Sequence, residues 1–196
     1  MKDTKFAAAA YDLFMGGLEP LLIKKWRGEL WRRVKPSYIL EAGVGTGLNT
    51  PFYRADHIIT ALDSSEHFLA RAQQRAKDKP VQVKYVKGKV QNLPFPADTF
   101  DSTVTTFLFC QLPDPLQGLL ELRRVLKPGG KLLLLEHVRP RGRMGKLVSS
   151  ISEPLYNLTG DHIARDTAAL VKKAGFSNVT SSALLINIVK IIEAEK

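Results

Sequence analysis

Closely spaced glycines in the first quarter of the chain are the residues whose types and spacing most clearly indicate a ligand. Gly43, Gly45 and Gly47 form a Gly-x-Gly-x-Gly turn that follows Glu41 closely. Glycine lacks a Cβ, so such a turn can bend sharply and let a ligand approach the backbone. Asp63 follows about 20 residues beyond the first glycine, where a carboxylate can accept hydrogen bonds from both ribose hydroxyls. The combination predicts a nucleoside site.

The residues around the turn argue against two other nucleotide-binding classes. A phosphate-loop NTPase needs Gly-Lys followed by Ser or Thr, and the turn does not contain that sequence. A short-chain dehydrogenase needs a Tyr-x-x-x-Lys pair on a helix. Tyr85 and Lys89 have that spacing, but they lie on and just beyond a predicted strand. The turn therefore favours another nucleoside.

Histidines supply the candidates for proton transfer. His137 follows a predicted strand, where a base would be useful, and a structural histidine at the sheet rim is an equal alternative. His162 stands beside Asp161, which could orient it as a base, although the cap of the following helix is the favoured interpretation. Cys110 lies among apolar residues, which favours a buried thiol. With one cysteine in the chain, a multi-thiolate zinc site is excluded, and we expect no bound metal.

These residues stand at the ends of alternating strands and helices. Strands are predicted over 38–41, 58–62, 81–86, 102–109 and 131–138, and helices over 48–55, 66–77, 115–126 and 167–174. Such alternation predicts a parallel sheet covered by helices on both faces. Two final apolar runs, 179–185 and 188–192, predict an antiparallel hairpin that completes the sheet.

The charge of the chain bears on its partners. The formal net charge is +10, which predicts attraction to polyanions such as nucleic acid or anionic lipid, with a solvated lysine-rich surface as an equal alternative. An amphipathic helix over 18–34 is interpreted as a cap on the sheet rather than a membrane-surface helix. The basic loop could hold a phosphate headgroup or an anionic membrane surface, or be solvated; its charges are Arg139, Arg141, Arg143 and Lys146.

Size and apolar content place the chain among folded proteins. Hydrophobic residues make up 44% of the 196 residues, enough for a sizeable core. No apolar run approaches the roughly 18–20 residues that a membrane span needs. We expect a cytoplasmic protein with peripheral contact to an anionic membrane.

Ordered motifs then resemble those of the class I S-adenosylmethionine-dependent methyltransferases. They are Glu-Ala-Gly-Val-Gly-Thr-Gly at 41–47, Leu-Asp at 62–63, Asn-Leu-Pro-Phe-Pro at 92–96, Thr-Phe-Asp at 99–101 and Leu-Lys-Pro-Gly-Gly at 126–130. The resemblance covers roughly residues 11–176. It is closest to the branch, with a methyltransferase type 11 domain, of the ubiquinone/menaquinone C-methyltransferases and small bacterial phospholipid N-methyltransferases.

The resemblance implies a fold and a cofactor. The fold is α/β, a Rossmann-like three-layer sandwich whose mostly parallel seven-stranded sheet ends in a C-terminal antiparallel hairpin. We expect a single methyltransferase domain over 1–196, with an N-terminal helical cap over 1–35 and a Rossmann-like core over 36–196. The cofactor is S-adenosylmethionine.

The resemblance also assigns roles at the cofactor. Asp63 holds the ribose hydroxyls, Ser64 lies beside the adenine and Val90 offers its backbone N–H to the ring. The methionine end and the turn that backs it belong to Glu41, Gly43, Gly45 and Thr106. Where the family often has an acid that accepts from the adenine amino group, this chain has Lys89, so either Gln91 substitutes or backbone and apolar contacts hold the adenine.

The acceptor is expected beyond the carboxyl ends of the fourth and fifth strands. Candidate catalytic residues there are Tyr11, His137 and His162. The expected acceptor is a small or lipidic molecule: a phospholipid amine, a quinone or a thiol. The alternatives are a nucleic-acid methyltransferase, motivated by the charge but without an Asn-Pro-Pro-Tyr-type motif after the fourth strand, and a non-catalytic nucleoside-binding protein.

Overall fold

A mixed sheet organises the chain. The computed structural model describes residues 23–35, 37–138, 165–185 and 188–196. The described strands are β1 (Tyr38–Ala42), β2 (Ile58–Asp63), β3 (Gln82–Lys87), β4 (Phe100–Thr106), β5 (Leu126–His137), β6 (Ser177–Leu185) and β7 (Val189–Glu195). The helices are α1 (Lys24–Arg32), α2 (Glu66–Ala76), α3 (Pro115–Val125) and α4 (Thr167–Lys173).

The sheet has the order β3-β2-β1-β4-β5-β7-β6. Strands β1 to β5 pair in parallel, and β7 pairs antiparallel with both β5 and β6. This confirms the predicted mostly parallel sheet with its C-terminal antiparallel hairpin.

Two apolar clusters cover the two faces of the sheet, as buried parallel strands require. Along β5, Leu132 and Leu134 pack in the cluster that contains α3 and α4. Leu133 and Leu135 pack in the other cluster, with residues of α1 and α2. Alternate side chains of one strand thus feed both helical layers, and the predicted three-layer arrangement is confirmed.

The segment after the glycine turn departs from the prediction. A helix over 48–55 was expected, but the structure has only a 3₁₀ turn, Thr50–Phe52, and Tyr53 is already extended with ψ 138°. The reason is tertiary: the Asn49 amide and the Tyr53 hydroxyl both hydrogen-bond the carboxylate of Glu41. These bonds override the helical pattern.

Two strand boundaries also differ. β4 ends at Thr106 rather than at 109, because Phe107 adopts a left-handed φ of 53° and turns the chain. β5 begins at Leu126 rather than at 131, and residues 127–130 bulge out of register between the pairs Phe100–Leu126 and Ser102–Lys131. The Pro-Gly-Gly sequence therefore interrupts the pairing of a strand that has already begun.

Helix α1 caps the sheet in the described part of the predicted 18–34 helix. Trp26, Leu30 and Val34 are buried, as the amphipathic pattern predicts. Arg27 on the same helix is charged, yet only 3% of it is exposed. Across the described segments, no helix combines the length and hydrophobicity that a bilayer crossing requires.

Candidate cofactor-binding and active site

The glycine turn leaves the end of β1 and bends back toward α2. Gly43, Gly45 and Gly47 all have positive φ, at 74°, 56° and 82°. A Cβ on Gly43 would meet Leu108 at 2.8 Å, and one on Gly47 would meet the Cα of Ala72 at 2.9 Å. Around Gly45, by contrast, no atom of the described residues lies within 4 Å of that position. Gly47 thus serves packing, whereas the described residues leave room around a Cβ on Gly45.

Asp63 ties the turn to the start of α2. One carboxylate oxygen accepts from the backbone N–H of Gly45 at 2.9 Å, and the other accepts from that of Ser65 at 2.9 Å. Ser65 in turn caps α2 by accepting from the N–H of Phe68 at 3.1 Å. The predicted pairing of the turn with the acid at the end of β2 is therefore a direct contact.

A cavity of about 370 Å³ opens beside Asp63. Its volume lies in the range of small-molecule sites, about 300–1,000 Å³. Of the predicted site residues, it brings together Gly43, Asp63, Ser64 and Val90. The rest of the lining is Leu62, Ser65, Phe68, Gly88, Lys89, Gln91, Leu108, Gln111, Leu112 and Pro113. Lys89 and Gln91 both line this cavity. The sequence left open whether Gln91 or backbone and apolar contacts hold the adenine, and both residues concerned are part of this lining.

Glu41 lies beneath the turn in a polar network. The carboxylate is 1% exposed and accepts from the Asn49 Nδ2 at 2.7 Å and from the Tyr53 hydroxyl. Burial raises the pKa of Glu41 to about 7, against the opposing effects of these hydrogen bonds and of the Arg27 charge. Glu41 therefore titrates near neutral pH.

Thr106 joins the same network from the end of β4. Its hydroxyl oxygen accepts from the Asn49 Nδ2 at 2.7 Å, and the Asn49 Oδ1 accepts from the Arg27 guanidinium at 3.0 Å. A small cavity of about 20 Å³ adjoins these side chains; its lining is Arg27, Gly43, Val44, Gly45, Thr46, Leu48, Asn49 and Thr106. Glu41, Gly43, Gly45 and Thr106, predicted for the methionine end, are thus neighbours.

A second buried carboxylate holds the turn after β4. Glu136, near the end of β5, accepts from the backbone N–H groups of Leu108 at 3.0 Å and Phe109 at 3.2 Å and from the Thr105 hydroxyl at 3.3 Å. Its other oxygen has no hydrogen-bond partner among the described residues. Burial raises the pKa of Glu136 to about 7. Because a Cβ on Gly43 would meet Leu108, Glu136 fixes the backbone of a residue that packs against the glycine turn.

His137 follows Glu136 on the opposite face of β5. Its ring stacks on Phe107, with centroids 4.5 Å apart and planes at 26°. Burial lowers the pKa of His137, so the imidazole is neutral at pH 7. Cys110 is buried, with its Sγ 3.4 Å from the carbonyl oxygen of Phe107, which agrees with the buried thiol that the sequence favours.

Other predicted residues lie outside the described ranges. They are Tyr11, Asp161, His162 and the basic residues Arg139, Arg141, Arg143 and Lys146. Of the three candidate catalytic residues, His137 is therefore the one that lies within the described ranges.

Sequence reasoning missed the network residues Arg27, Asn49 and Tyr53, and it also missed the buried Glu136. Arg27 carried a signal, because it precedes Leu30, Trp31 and Val34 at helical spacing and so belongs to the buried stripe. Glu136 carried one too, since it ends a buried run of four leucines.

Known proteins are similar to this chain in sequence and in fold. Residues 40–134 match the family described as a methyltransferase domain. A thiol S-methyltransferase of Rattus norvegicus is 35% identical over 72% of this chain and 60% of its own length. A demethylmenaquinone methyltransferase of Thermotoga maritima is 36% identical over 72% and 64%. A phosphatidylethanolamine N-methyltransferase of Cereibacter sphaeroides is 32% identical over 58% of each. The chain spans about three fifths of the length of these relatives.

A solved structure agrees with the architecture. The crystal structure of an S-adenosylmethionine-dependent methyltransferase of Thermotoga maritima, described as a possible histamine N-methyltransferase, superposes with a TM-score of 0.77. It is 20% identical, and the match covers 98% of this chain and 97% of that one, so it supports the fold. Residues 40–134 thus carry a methyltransferase domain, and the fold is that of S-adenosylmethionine-dependent methyltransferases.

Proposed function

We propose that this chain transfers a methyl group from S-adenosylmethionine to a small or lipidic acceptor, namely a phospholipid amine, a quinone or a thiol. The observation that carries the proposal is the hydrogen bond from Gly45 to Asp63, which fixes the glycine turn beside a cavity of about 370 Å³ lined by Gly43 and Asp63. The relatives named above supply the acceptor classes.

The residues present fit the cofactor. Asp63 would hold the ribose, with Ser64 and Val90 along the adenine. Glu41, Gly43, Gly45 and Thr106 would surround the methionine end, where their network offers acceptors to an ammonium group. When bound, S-adenosylmethionine supplies an electrophilic methyl group on a sulfonium. The contribution of the protein is alignment of the acceptor and exclusion of water, which together can supply about 7–11 kcal/mol.

His137 is the described candidate base. It lies at the carboxyl end of β5, where ligands of open α/β sheets bind, and its lowered pKa keeps the imidazole neutral and able to accept a proton. A thiol or an ammonium acceptor must lose a proton during methylation, so one such base suffices. Tyr11 and His162 are further candidates, from the sequence, for catalytic residues at the acceptor site.

The burial of α1 supports a single domain over 1–196, with residues 1–35 as its helical cap. Leu30 and Trp31 are buried against the sheet, so the described part of the cap belongs to the core. We also infer a cytoplasmic protein that contacts anionic membranes, because the net charge of +10 suits lipid headgroups as well as a lipidic acceptor.

The test is transfer of labelled methyl from S-adenosylmethionine to a panel of acceptors: an alkyl thiol, phosphatidylethanolamine vesicles, a reduced demethylquinone and total RNA. The proposal expects label in one of the first three. Label in RNA would instead establish the nucleic-acid alternative. Tight binding of the cofactor without transfer to any fraction of a cell extract would establish a nucleoside-binding protein.

A further inference from the structure

The loop that joins β4 to α3, residues 107–114, forms one wall of the cavity beside Asp63. It contributes Leu108, Gln111, Leu112 and Pro113 to the lining. The loop contains neither helix nor strand, so it lacks the regular hydrogen bonds that fix those elements, and Phe107 begins it with a left-handed φ of 53°. Bonds from other parts of the chain therefore have to fix the position of this wall.

Two charged side chains hold the backbone of this loop. Glu136 accepts from the N–H groups of Leu108 and Phe109. Arg165, which precedes α4, donates from its guanidinium Nη1 to the carbonyl oxygens of Phe109 and Leu112, each at 2.6 Å. Leu112 and Arg165 are 53 positions apart in the sequence, so this bond joins the wall to a distant part of the chain. The carboxylate thus binds donors of the loop, and the guanidinium binds its acceptors.

The carbonyl groups that Arg165 binds have little access to water. Phe109 is fully buried, and only 9% of Leu112 is exposed. A hydrogen bond from a charged donor is among the stronger ones, and a buried carbonyl that loses its donor is unfavourable. Without the guanidinium, the loop should shift to regain partners or to admit water. Because Leu112 lines the cavity, such a shift would change the shape of the cavity.

We propose that Arg165 is a positioning residue for the cofactor, because it holds the cavity wall at Phe109 and Leu112 in the place that fits the nucleoside. Arg165 is not among the residues that line the cavity, so it acts through the loop and not by contact with the ligand. This role rests on the proposed placement of the nucleoside beside Asp63.

Calorimetric titration measures the effect on affinity. S-adenosylhomocysteine carries the whole ligand frame, and methylthioadenosine keeps the nucleoside but lacks the amino-acid end. Since the wall borders the nucleoside, Arg165→Met should weaken both ligands by a similar factor of about 10-fold or more. Absence of binding of both ligands to the wild-type protein would overturn the cofactor placement, and the role of Arg165 with it.

Arg123→Met is the matched control. Arg123 of α3 also donates to a backbone carbonyl, that of Gly175 after α4, at 3.0 Å, and neither of these residues lines the cavity. The substitution therefore removes a comparable bond between the same two parts of the chain but leaves the wall in place. Both affinities should stay within about 3-fold of the wild-type values.

Hydrogen–deuterium exchange reports on the loop itself. In Arg165→Met, the amides of residues 107–113 should exchange faster than in the wild-type protein and in Arg123→Met, because the loop opens more readily. Arg165→Lys retains an ammonium donor and should bind both ligands more tightly than Arg165→Met does. If Arg165→Met does not fold, Arg165→Gln should show the same loss of affinity and the same faster exchange. Unchanged affinity in the folded variant, or weaker binding with unchanged exchange of the loop, would overturn the proposal.

Discussion

At the scale of single residues, two buried carboxylates with raised pKa values lie next to the glycine turn and the turn after β4. Glu41 binds Asn49 and Tyr53 beneath the glycine turn, and Glu136 holds the backbone after β4. Both carboxylates exchange contact with water for fixed hydrogen bonds. For each of them, burial raises the pKa by more than the hydrogen bonds lower it. Glu41 and Glu136 therefore both have pKa values close to neutral pH.

Glu136 yields a prediction on stability. Its folded pKa of about 7 lies above the usual 4.5, so the folded protein retains a proton that the unfolded chain releases between these values. The free energy of unfolding should therefore fall as pH rises from about 4.5 to 7, by up to about 1.4 kcal/mol per pH unit from this group. Urea unfolding at several pH values should show a smaller fall for Glu136→Gln. A wild-type protein that gains stability relative to the variant as pH rises would contradict this pKa.

His137 yields a prediction on rate. As the base, it should impose an acid limb on kcat that lies below pH 6.5, because its pKa is lowered from that value. His137→Asn should remove this limb and lower kcat by about 10²-fold or more, with cofactor affinity unchanged. The measurement is the pH profile of methyl transfer. A variant that keeps both the rate and the limb would leave His137 as a structural residue at the sheet rim.

At the scale of elements, two glycines of the turn have different roles: Gly47 packs against a helix, and Gly45 is proposed to lie against the ligand. Gly47 packs against Ala72 of α2, whereas no described atom lies within 4 Å of a Cβ on Gly45, although both glycines have positive φ. This division predicts opposite outcomes for the same substitution, which makes the two positions each other's control.

Gly47→Ala should destabilise the protein by more than about 2 kcal/mol, because strain at positive φ adds to a clash with Ala72. Gly45→Ala should cost only about 1–2 kcal/mol of strain but weaken S-adenosylhomocysteine about 10-fold or more, since its methyl group would enter the ligand space. Thermal unfolding and calorimetry measure the pair. Full affinity in folded Gly45→Ala would show that the cofactor does not approach this glycine.

Elements were predictable from sequence where local pattern and tertiary environment agree. The leucine run of β5 and the capped helices α2 and α3 lie close to their predicted ranges, since periodicity and caps are local signals. The helix over 48–55 failed because Asn49 and Tyr53 bind Glu41, a contact that joins distant parts of the chain. Arg27 and Glu136 were missed for a related reason: charge suggests exposure until packing shows what surrounds it.

At the scale of the whole molecule, the net charge of +10 predicts where the chain binds. It should sediment with phosphatidylglycerol vesicles at low salt, not with phosphatidylcholine vesicles, and should be released as salt rises. Replacing Arg139, Arg141 and Arg143 by Gln should weaken sedimentation more than replacing the exposed Lys77, Lys79 and Lys84, which removes the same charge. Equal effects would attribute binding to net charge and not to the basic loop.

The central claim is that the glycine turn and Asp63 form the site of S-adenosylmethionine, and calorimetric titration with S-adenosylhomocysteine tests it most directly. The wild-type protein should bind one equivalent, and Asp63→Ala should lose that binding because ribose and turn both lose their acceptor. Asp56→Ala, which removes an exposed acid paired with Arg54, should bind as the wild type does. A folded Asp63→Ala protein with full affinity, or a wild-type protein that does not bind, would contradict the account.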